Sequence, residues 1–290
     1  MHILENKQLR VLITAKGAEL RSIYNKITAQ ELLWQADPTF WGKSSPILFP
    51  IVGALKEDSY FFNGNEYHLS RHGFARDNQF IIEKLNDIQI RCTLNSTNQT
   101  KLVYPFDFKL VLLYTLVEDR LEVNYKVENT SSINKMFFSL GAHPAFNVGK
   151  TSNDFFEYQL VFNQDDELIT YTLNNNLLQE KEEVIMLEDR ALHLNYKLFE
   201  KDALVIKQLK SNAISLVHQT KGKLFDFNFQ NLPYFGIWTV QKSNFICLEP
   251  WAGIADFESH NQQLKDKLGI IQLEPNKIWT ASWSIKTNNK

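Results

Sequence analysis

Residues 109–127 read KLVLLYTLVEDRLEVNYKV, and this stretch decides the fold class. From Leu121 to Val127, apolar side chains alternate strictly with polar ones, which is the period of a strand buried on one face. The polar turn at 118–120 separates this segment from an apolar run of similar length. Two such segments joined by a short polar turn predict an antiparallel pair of strands.

The same pattern recurs along the chain. The Asn63-Gly64 dipeptide between two short alternating runs is a strong hairpin signal, because it supplies the positive φ angles of a tight turn. About 15 to 20 strands with frequent turns predict an all-β fold, a large antiparallel β-sandwich in one domain over 1–290. Residues 258–268 fit either a short helix or a structured loop. Further strands are predicted at 155–162, 204–209, 213–217, 223–229, 234–240, 245–249 and 278–285.

The composition is that of a globular protein. The 290 residues carry 31 Lys+Arg against 33 Asp+Glu, a net charge of −2, so no basic footprint for nucleic acid is present. Aromatic residues make up 13% of the chain, which provides apolar surface for a sizeable core. The longest apolar run, of about eight residues, is far shorter than the roughly 20 that a membrane span needs. We therefore expect no nucleic-acid or membrane partner.

The cysteines and the N-terminus indicate a cytoplasmic protein. Cys92 and Cys247 are too few for a disulfide framework or a cysteine-based zinc site. The N-terminal residues lack the basic and apolar regions of a signal peptide. No phosphate-binding loop, dinucleotide fingerprint or set of metal ligands is present, so we expect neither cofactor nor metal.

The segment 70–77, SRHGFARD, places Arg71, His72 and Arg76 within six residues after a predicted hairpin strand. Arginine offers a planar fork of donors that suits hydroxyl pairs, carboxylate or phosphate. A surface loop with satisfied charges is the alternative. His68 and His72 are spaced like a metal pair, but no third ligand is near them in sequence.

Two other segments contain titratable side chains among small and aromatic residues. In 139–147, SLGAHPAFN, His143 stands before a proline and is suited to proton transfer near neutral pH. In 245–253, FICLEPWAG, Glu249 closes an apolar predicted strand, where desolvation would raise its pKa. The alternatives are a core histidine and a solvated strand-end carboxylate. Glu274, before a plain hairpin turn, is interpreted as structural.

In a sandwich, distant strand ends can converge on one concave face. A histidine and a carboxylate facing each other across a pocket would form an acid/base pair. Aromatic rings nearby could stack on the apolar face of a sugar, although core packing is the alternative for each. The candidates are Trp34, Phe40, Trp41, Trp238 and Trp251.

At these segments the sequence resembles the aldose 1-epimerase (galactose mutarotase-like) family, in particular its branch of LacX-type proteins and hexose-6-phosphate mutarotases. The resemblance spans nearly the whole chain and rests on four motifs in the family's order. It implies a galactose mutarotase-like supersandwich that interconverts the α and β anomers of a hexose or hexose 6-phosphate. The motifs are PILFPIVG at 46–53, RHGFAR at 71–76, GAHPAF at 141–146 and CLEPW at 247–251.

The resemblance also implies roles for single residues. Glu249 matches the general base that takes the anomeric hydroxyl proton, and His143 matches the general acid that protonates the ring oxygen. His72 matches a position that hydrogen-bonds near the ring oxygen, and Arg76 matches a binding arginine of the hexose-phosphate branch. The further substrate-binding candidates are Arg71, Lys43 (where relatives carry arginine), Asp202 (the match for a sugar-binding aspartate) and Trp251.

Three functions remain open at this point. The first is a mutarotase, which needs His143 and Glu249 on opposite sides of the sugar ring. The second is a non-catalytic carbohydrate-binding protein on the same scaffold. The third, a glycoside hydrolase or lyase, would need a second well-placed carboxylate or a Tyr/Arg arrangement, and only one such carboxylate is evident. The sequence predicts a small-molecule sugar or sugar phosphate as partner, and a monomer or homodimer.

Overall fold

The computed structural model describes residues 1–289. Strands make up about 51% of the chain and helices about 7%, so the all-β prediction is confirmed. Across the described residues there are 25 strands, numbered in chain order. They are β1 His2–Glu5, β2 Leu9–Ile13, β3 Leu20–Asn25, β4 Gln30–Glu31, β5 Ile47–Leu48, β6 Ser59–Phe62, β7 Asn65–His68, β8 Ile81–Asn86, β9 Gln89–Asn95, β10 Phe108–Val117, β11 Arg120–Asn129, β12 Met136–Phe138, β13 Leu140–Ala142, β14 Ala145–Asn147, β15 Tyr158–Phe162, β16 Glu167–Asn174, β17 Leu177–Met186, β18 Ala191–His193, β19 Leu204–Ile206, β20 Ala213–His218, β21 Gly222–Gln230, β22 Tyr234–Trp238, β23 Phe245–Ala252, β24 Ile271–Leu273 and β25 Ile278–Thr287.

Helical structure is short. The α-helix α1 covers Asn98–Lys101, and residues 258–268 form a structured loop with a single 3₁₀ turn. No helix within residues 1–289 is both long enough and apolar enough to cross a membrane. The 3₁₀ turns are Lys56–Asp58, Ala75–Asp77, Asp154–Glu157, Tyr196–Phe199 and Leu264–Asp266.

Two large antiparallel sheets form the sandwich. One has nine strands in the order β18-β15-β20-β21-β25-β11-β10-β9-β8. The other has eight, in the order β17-β16-β19-β22-β23-β13-β5 with β14 also paired to β23. The largest apolar cluster draws on both sheets, including Trp283 of the first and Phe235 of the second. The sandwich prediction is thereby confirmed. A four-stranded sheet β1–β4 and the pairs β12–β24 and β6–β7 complete the structure.

Residues 109–127 form most of β10 and β11, which pair along their whole length with Tyr114 opposite Val123. The predicted alternation is observed, because Leu121 and Val127 are fully buried whereas Asn124 faces solvent. The Asn63-Gly64 turn is also confirmed, since both residues have positive φ and Phe62 pairs with Asn65 across it.

The strand count and several strand ends were predicted wrongly. The count is low because strands of two or three residues, such as β4 and β5, are too short to show an alternating pattern. The strand predicted from residue 155 begins at Tyr158, after a 3₁₀ turn, and the one predicted to reach residue 209 ends at Ile206. Apolar side chains there continue beyond the strand because they still pack on the core.

The prediction that Glu249 closes its strand is also wrong, because β23 continues through Pro250 to Ala252 and every residue in it is buried. Pro250 lacks a backbone N–H and normally interrupts a central strand. Here the neighbouring partner changes at this point: β14 pairs with residues 245–247 and β13 with residues 251–252. The break between β13 and β14, at His143-Pro144, lies opposite residues 248–250. The missing hydrogen bond therefore falls in a gap of the ladder.

Candidate active site

A cavity of about 290 Å³ opens on the eight-stranded sheet. This volume is near the lower end of the roughly 300–1,000 Å³ usual for small-molecule sites. Seven buried side-chain polar atoms within residues 1–289 have no hydrogen-bond partner, and three of them belong to cavity residues: Arg76 Nε, His143 Nδ1 and Trp251 Nε1. Buried polar groups are normally paired, so this concentration points to a place where a polar ligand supplies the partners. The lining residues are Trp41, Gly53, Arg71, His72, Arg76, His143, Leu173, Asn176, Ala203, Val205, Trp238, Glu249, Trp251 and Ala255.

His143 and Glu249 meet in the cavity wall, with Nε2 and Oε2 3.2 Å apart. The gap in the β-ladder explains the contact, because it places His143 directly beside the middle of β23. The indole of Trp41 stacks on the His143 ring at 4.8 Å between centroids and fixes its orientation. The expectation that a sugar ring separates the two groups is wrong for this structure, since 3.2 Å leaves no room for one. His143 and Glu249 instead lie side by side on the same wall of the cavity.

Burial sets the protonation of this pair. It lowers the pKa of His143 to about 3, helped by the nearby positive charge of Arg71. It raises the pKa of Glu249 well above its ordinary value, although Arg71 opposes that shift. The two pKa shifts favour a state in which the imidazole is neutral and one proton is shared between the groups. The pair can therefore give a proton on one atom and accept one on the other without changing its net charge.

His72 lies in the same wall, with positive φ and its ring edge-on to His143 at 5.8 Å. Its Nδ1 is placed to accept a hydrogen bond from the Gly53 backbone N–H at 3.1 Å. Its Nε2 is likewise placed to accept a hydrogen bond from Arg71 Nε at 3.1 Å. A neutral imidazole has one N–H, so both contacts cannot be hydrogen bonds. Whichever ring nitrogen carries the proton is thus a donor that meets another donor, and a ligand oxygen could serve as its acceptor.

Two arginines line the cavity. Arg71 donates to Asn176 Oδ1 at 2.6 Å, and its guanidinium lies 3.9 Å from Asp202 Oδ2. Arg76 donates to the Arg71 backbone carbonyl at 2.7 Å, and its buried Nε has no hydrogen-bond partner. Burial lowers the pKa of Arg76. The two guanidiniums provide the positive side of the cavity.

Three tryptophans form its apolar surface. Trp251 lies across two glycines of neighbouring strands: a Cβ on Gly236 would be 2.3 Å from the Trp251 ring, and one on Gly141 would be 2.5 Å from it. The Trp238 ring is perpendicular to that of His143, with their centroids 5.8 Å apart, and Trp41 stacks on one face of the His143 ring. Flat indole surfaces of this kind suit the apolar face of a sugar ring.

Four predicted residues do not line the cavity. Lys43 Nζ lies 3.9 Å from Asp77, which in turn is 3.6 Å from Arg76, so Lys43 is linked to the cavity only through that aspartate. Asp202 lies at the rim, where it reaches the site through Arg71. Trp34 and Phe40 belong to a small apolar cluster against which the cavity residues Trp41 and Trp238 also pack. Trp34 donates its indole N–H to the Trp41 backbone carbonyl, so its ring lies within this cluster and not in the cavity wall.

Two minor interpretations are settled by position. Glu274 is exposed, pairs with Lys135 at 2.9 Å and lies outside the cavity lining, as expected for a residue with no part in the site. His68 is also exposed, 3.7 Å from Glu66, whereas His72 is buried in the cavity wall, so the two histidines do not form a metal pair.

Sequence reasoning missed the β16–β17 hairpin. Its turn residues Asn175 and Asn176 have positive φ, and Asn176 and Leu173 reach the cavity. The asparagine run at 174–176 signals a turn, but nothing in the sequence indicates that the turn reaches Arg71. That contact depends on how the sheets pack.

The aldose 1-epimerase family model matches residues 1–266. The chain belongs to the aldose 1-epimerase family. It is similar to two LacX proteins of Lactococcus lactis subsp. lactis, one encoded on a plasmid and one on the chromosome; each is 31% identical, and the match covers 99% of this chain and 99% of the relative.

Solved structures agree with this membership in the aldose 1-epimerase family. A galactose mutarotase related enzyme from Lactobacillus acidophilus superposes with a TM-score of 0.91 at 33% identity, covering 99% of this chain and 97% of that chain. A galactose mutarotase-like protein from Lactobacillus casei ATCC 334 superposes with a TM-score of 0.90 at 28% identity, covering 99% and 100%. The predicted galactose mutarotase-like fold is confirmed.

Proposed function

We propose that this member of the aldose 1-epimerase family is a mutarotase, with His143 and Glu249 as its acid/base pair. The observation that carries the proposal is their 3.2 Å contact in the wall of a cavity with tryptophan and arginine sides. Mutarotation needs paired proton transfer at two oxygens bonded to the same carbon. Two titratable groups that lie in contact on one wall can each exchange a proton with one of these two neighbouring oxygens.

In the proposed reaction, Glu249 takes the proton of the anomeric hydroxyl and His143 gives its proton to the ring oxygen. The C1–O5 bond breaks and an open-chain aldehyde forms. Rotation about C1–C2 presents the other face of the carbonyl, and ring closure reverses both proton transfers. Opening begins from the arrangement in which the shared proton is on His143, a carboxylate beside an imidazolium, and it leaves an acid and a neutral imidazole, the arrangement that burial favours in the empty site. His72, in the same wall, is suited to hydrogen-bond the sugar.

The proposed substrate is a hexose or a hexose 6-phosphate. Arg71 and Arg76 support an anionic substrate, because guanidinium groups bind phosphate with two parallel hydrogen bonds. The neutral sugar is supported by Asn176 and Asp202, which already engage Arg71. If phosphate is recognised, glucose 6-phosphate binds much more tightly than glucose, and added salt reduces the difference. Equal affinity would assign a neutral hexose.

The deciding experiment is polarimetry on a panel of freshly dissolved α-sugars and sugar phosphates, with and without the protein. A mutarotase accelerates the approach to anomeric equilibrium for at least one of them. Sugars that bind, as shown by calorimetry, but equilibrate at the uncatalysed rate would instead support the non-catalytic carbohydrate-binding protein.

We further propose a single domain, because the largest apolar cluster contains residues from Leu4 to Ile285. Action in the cytoplasm and a monomeric or homodimeric state remain predictions. Gel filtration with light scattering tests the last of these.

A further inference from the structure

The proposed mechanism leaves one chemically reactive neighbour of the acid/base pair unused. Cys247 precedes Glu249 by two residues on β23, so the two side chains share a face of the strand. The ligand atoms of Cys247, Glu249 and His143 all lie within 4.8 Å of one another, and all three residues are buried. The three atoms are a thiol sulfur, a carboxylate oxygen and an imidazole nitrogen, which are the donor types that bind zinc in proteins.

The spacing fits a tetrahedral ion. Zinc bonds of about 2.0–2.3 Å place neighbouring ligand atoms about 3.4 Å apart. The His143–Glu249 separation of 3.2 Å matches one such edge, and the Cys247 sulfur lies within 4.8 Å of both atoms, so it must approach them by at most about 1.4 Å to complete the face. His143 and Glu249 also line the cavity, so a fourth coordination position would open toward it. Three protein ligands with one open position are the arrangement of accessible zinc sites.

We infer that His143, Cys247 and Glu249 form a binding site for a thiophilic divalent cation, Zn²⁺ or Cd²⁺, which inhibits the enzyme by occupying its acid/base pair. The cation replaces the thiol proton and the proton shared by the pair, and all three groups become metal ligands. Thiolate and imidazole donors select against Mg²⁺ and Ca²⁺, which prefer oxygen ligands. The inhibition rests on the proposed function, whereas the binding does not.

Binding is tested first, on the full-length protein without sugar. Cd²⁺ is titrated while the ultraviolet charge-transfer band of a cadmium–thiolate bond is followed, and Zn²⁺ is measured by competition with a chromophoric chelator. The chain offers a matched control, because Cys92 is the other cysteine and is also fully buried, but it is not part of the cluster. We expect Cys247→Ser to remove the band and to weaken Zn²⁺ binding by about 100-fold or more, because even the loss of a group that only orients a ligand costs about 10–100-fold. Cys92→Ser keeps both, and neither Mg²⁺ nor Ca²⁺ competes.

A band of full intensity in Cys247→Ser, or its loss in Cys92→Ser, would overturn the site. If a buried serine hydroxyl prevents folding, Cys247→Ala is used in its place, and circular dichroism confirms the folded state of each variant.

Inhibition is tested on whichever sugar the polarimetric panel identifies. Zn²⁺ slows anomer equilibration by the wild type and by Cys92→Ser, and a chelator restores the rate. Cys247→Ser requires about 100-fold more Zn²⁺ for the same fractional inhibition. Equal inhibition of both cysteine variants would refute the regulatory part of the inference. A protein that accelerates no sugar refutes the proposed function, yet the binding arm still decides the metal site.

Discussion

Glu249 and His143 are the proposed acid/base pair, and their opposite pKa shifts favour one proton shared between them. Both residues were predicted from sequence, since a titratable side chain between small residues and a proline, or before Pro-Trp, stands out from an apolar strand. Their direct contact was not predictable. It arises because His143 lies in a break between two strands and Glu249 lies opposite that break.

Replacing Glu249 by glutamine tests the base at nearly constant volume. The amide cannot take a proton, so we expect anomer interconversion to fall by about 10²–10⁴-fold. Sugar binding, measured by calorimetry, is retained. Glu274→Gln, on the exposed surface beside Lys135, is the control and keeps full activity. Wild-type rates in Glu249→Gln would remove that residue from the mechanism.

The shared proton also predicts an unusual pH profile. A second proton binds only when the pH falls to about 3, the lowered pKa of His143. The shared proton leaves only when the pH rises above the raised pKa of Glu249. Activity therefore persists as the pH falls through about 6.5, the ordinary histidine pKa. The measurement is kcat/KM over roughly pH 4 to 9, corrected for the uncatalysed rate; a loss of activity centred near 6.5 would contradict it.

At the scale of elements, β23 determines the site. It supplies Glu249 and Trp251, and its partner changes from β14 to β13 where Pro250 needs no hydrogen-bond acceptor. From sequence alone, Pro250 indicated the end of a strand, because a proline in a central strand is rare. The gap that accommodates it belongs to the neighbouring strands, which lie more than 100 residues earlier in the chain.

Gly236→Ala tests the support of Trp251 on the neighbouring strand β22. The new Cβ would lie 2.3 Å from the indole, which must move into the cavity. We expect KM to rise more than kcat falls, because the displaced ring reduces the space for sugar. Gly42→Ala, where a Cβ meets no atom within 4 Å, is the control. An unchanged KM in Gly236→Ala would show that Trp251 does not border the bound sugar.

For the whole molecule, the sequence predicts the sandwich, but it does not predict which hairpins and loops pack around the cavity. Alternating apolar and polar residues identify strands such as β11, because the pattern within one strand shows which of its faces is buried. The approach of the β16–β17 hairpin to Arg71, and of the 256–267 loop to residues 54–56, depends on contacts between distant segments. Those contacts form only when the whole sandwich is assembled.

A buried ion pair stabilises the 256–267 loop next to the cavity. Lys267 Nζ lies 2.7 Å from Asp256 Oδ1, and Asp256 also accepts from the Lys56 N–H. Burial alone would raise the pKa of Asp256, but its interactions with His260 and Lys267 outweigh that effect and lower the pKa to about 2. Because the pKa of Asp256 is lower in the folded than in the unfolded protein, its ionised form stabilises the fold. This contribution to the free energy of unfolding is complete at a pH above about 3.9, the pKa in the unfolded chain, and is lost as the pH falls toward 2.

Lys267→Met tests the contribution of this ion pair to stability. Removing one partner leaves an unpaired buried charge, so we expect the free energy of unfolding to fall by about 3–5 kcal/mol. Urea denaturation measures it. Lys135→Met, which breaks the exposed pair with Glu274, changes stability little. Equal effects of the two variants would show that Asp256 is not held by Lys267.

Trp41, Trp238 and Trp251 are half of the six tryptophans in the chain, and all three border one cavity. The protein therefore contains its own optical reporter. A molecule that enters the cavity displaces solvent from three indoles at once and shifts their emission. Occupancy of the cavity can be followed without a label, including by compounds that are never converted.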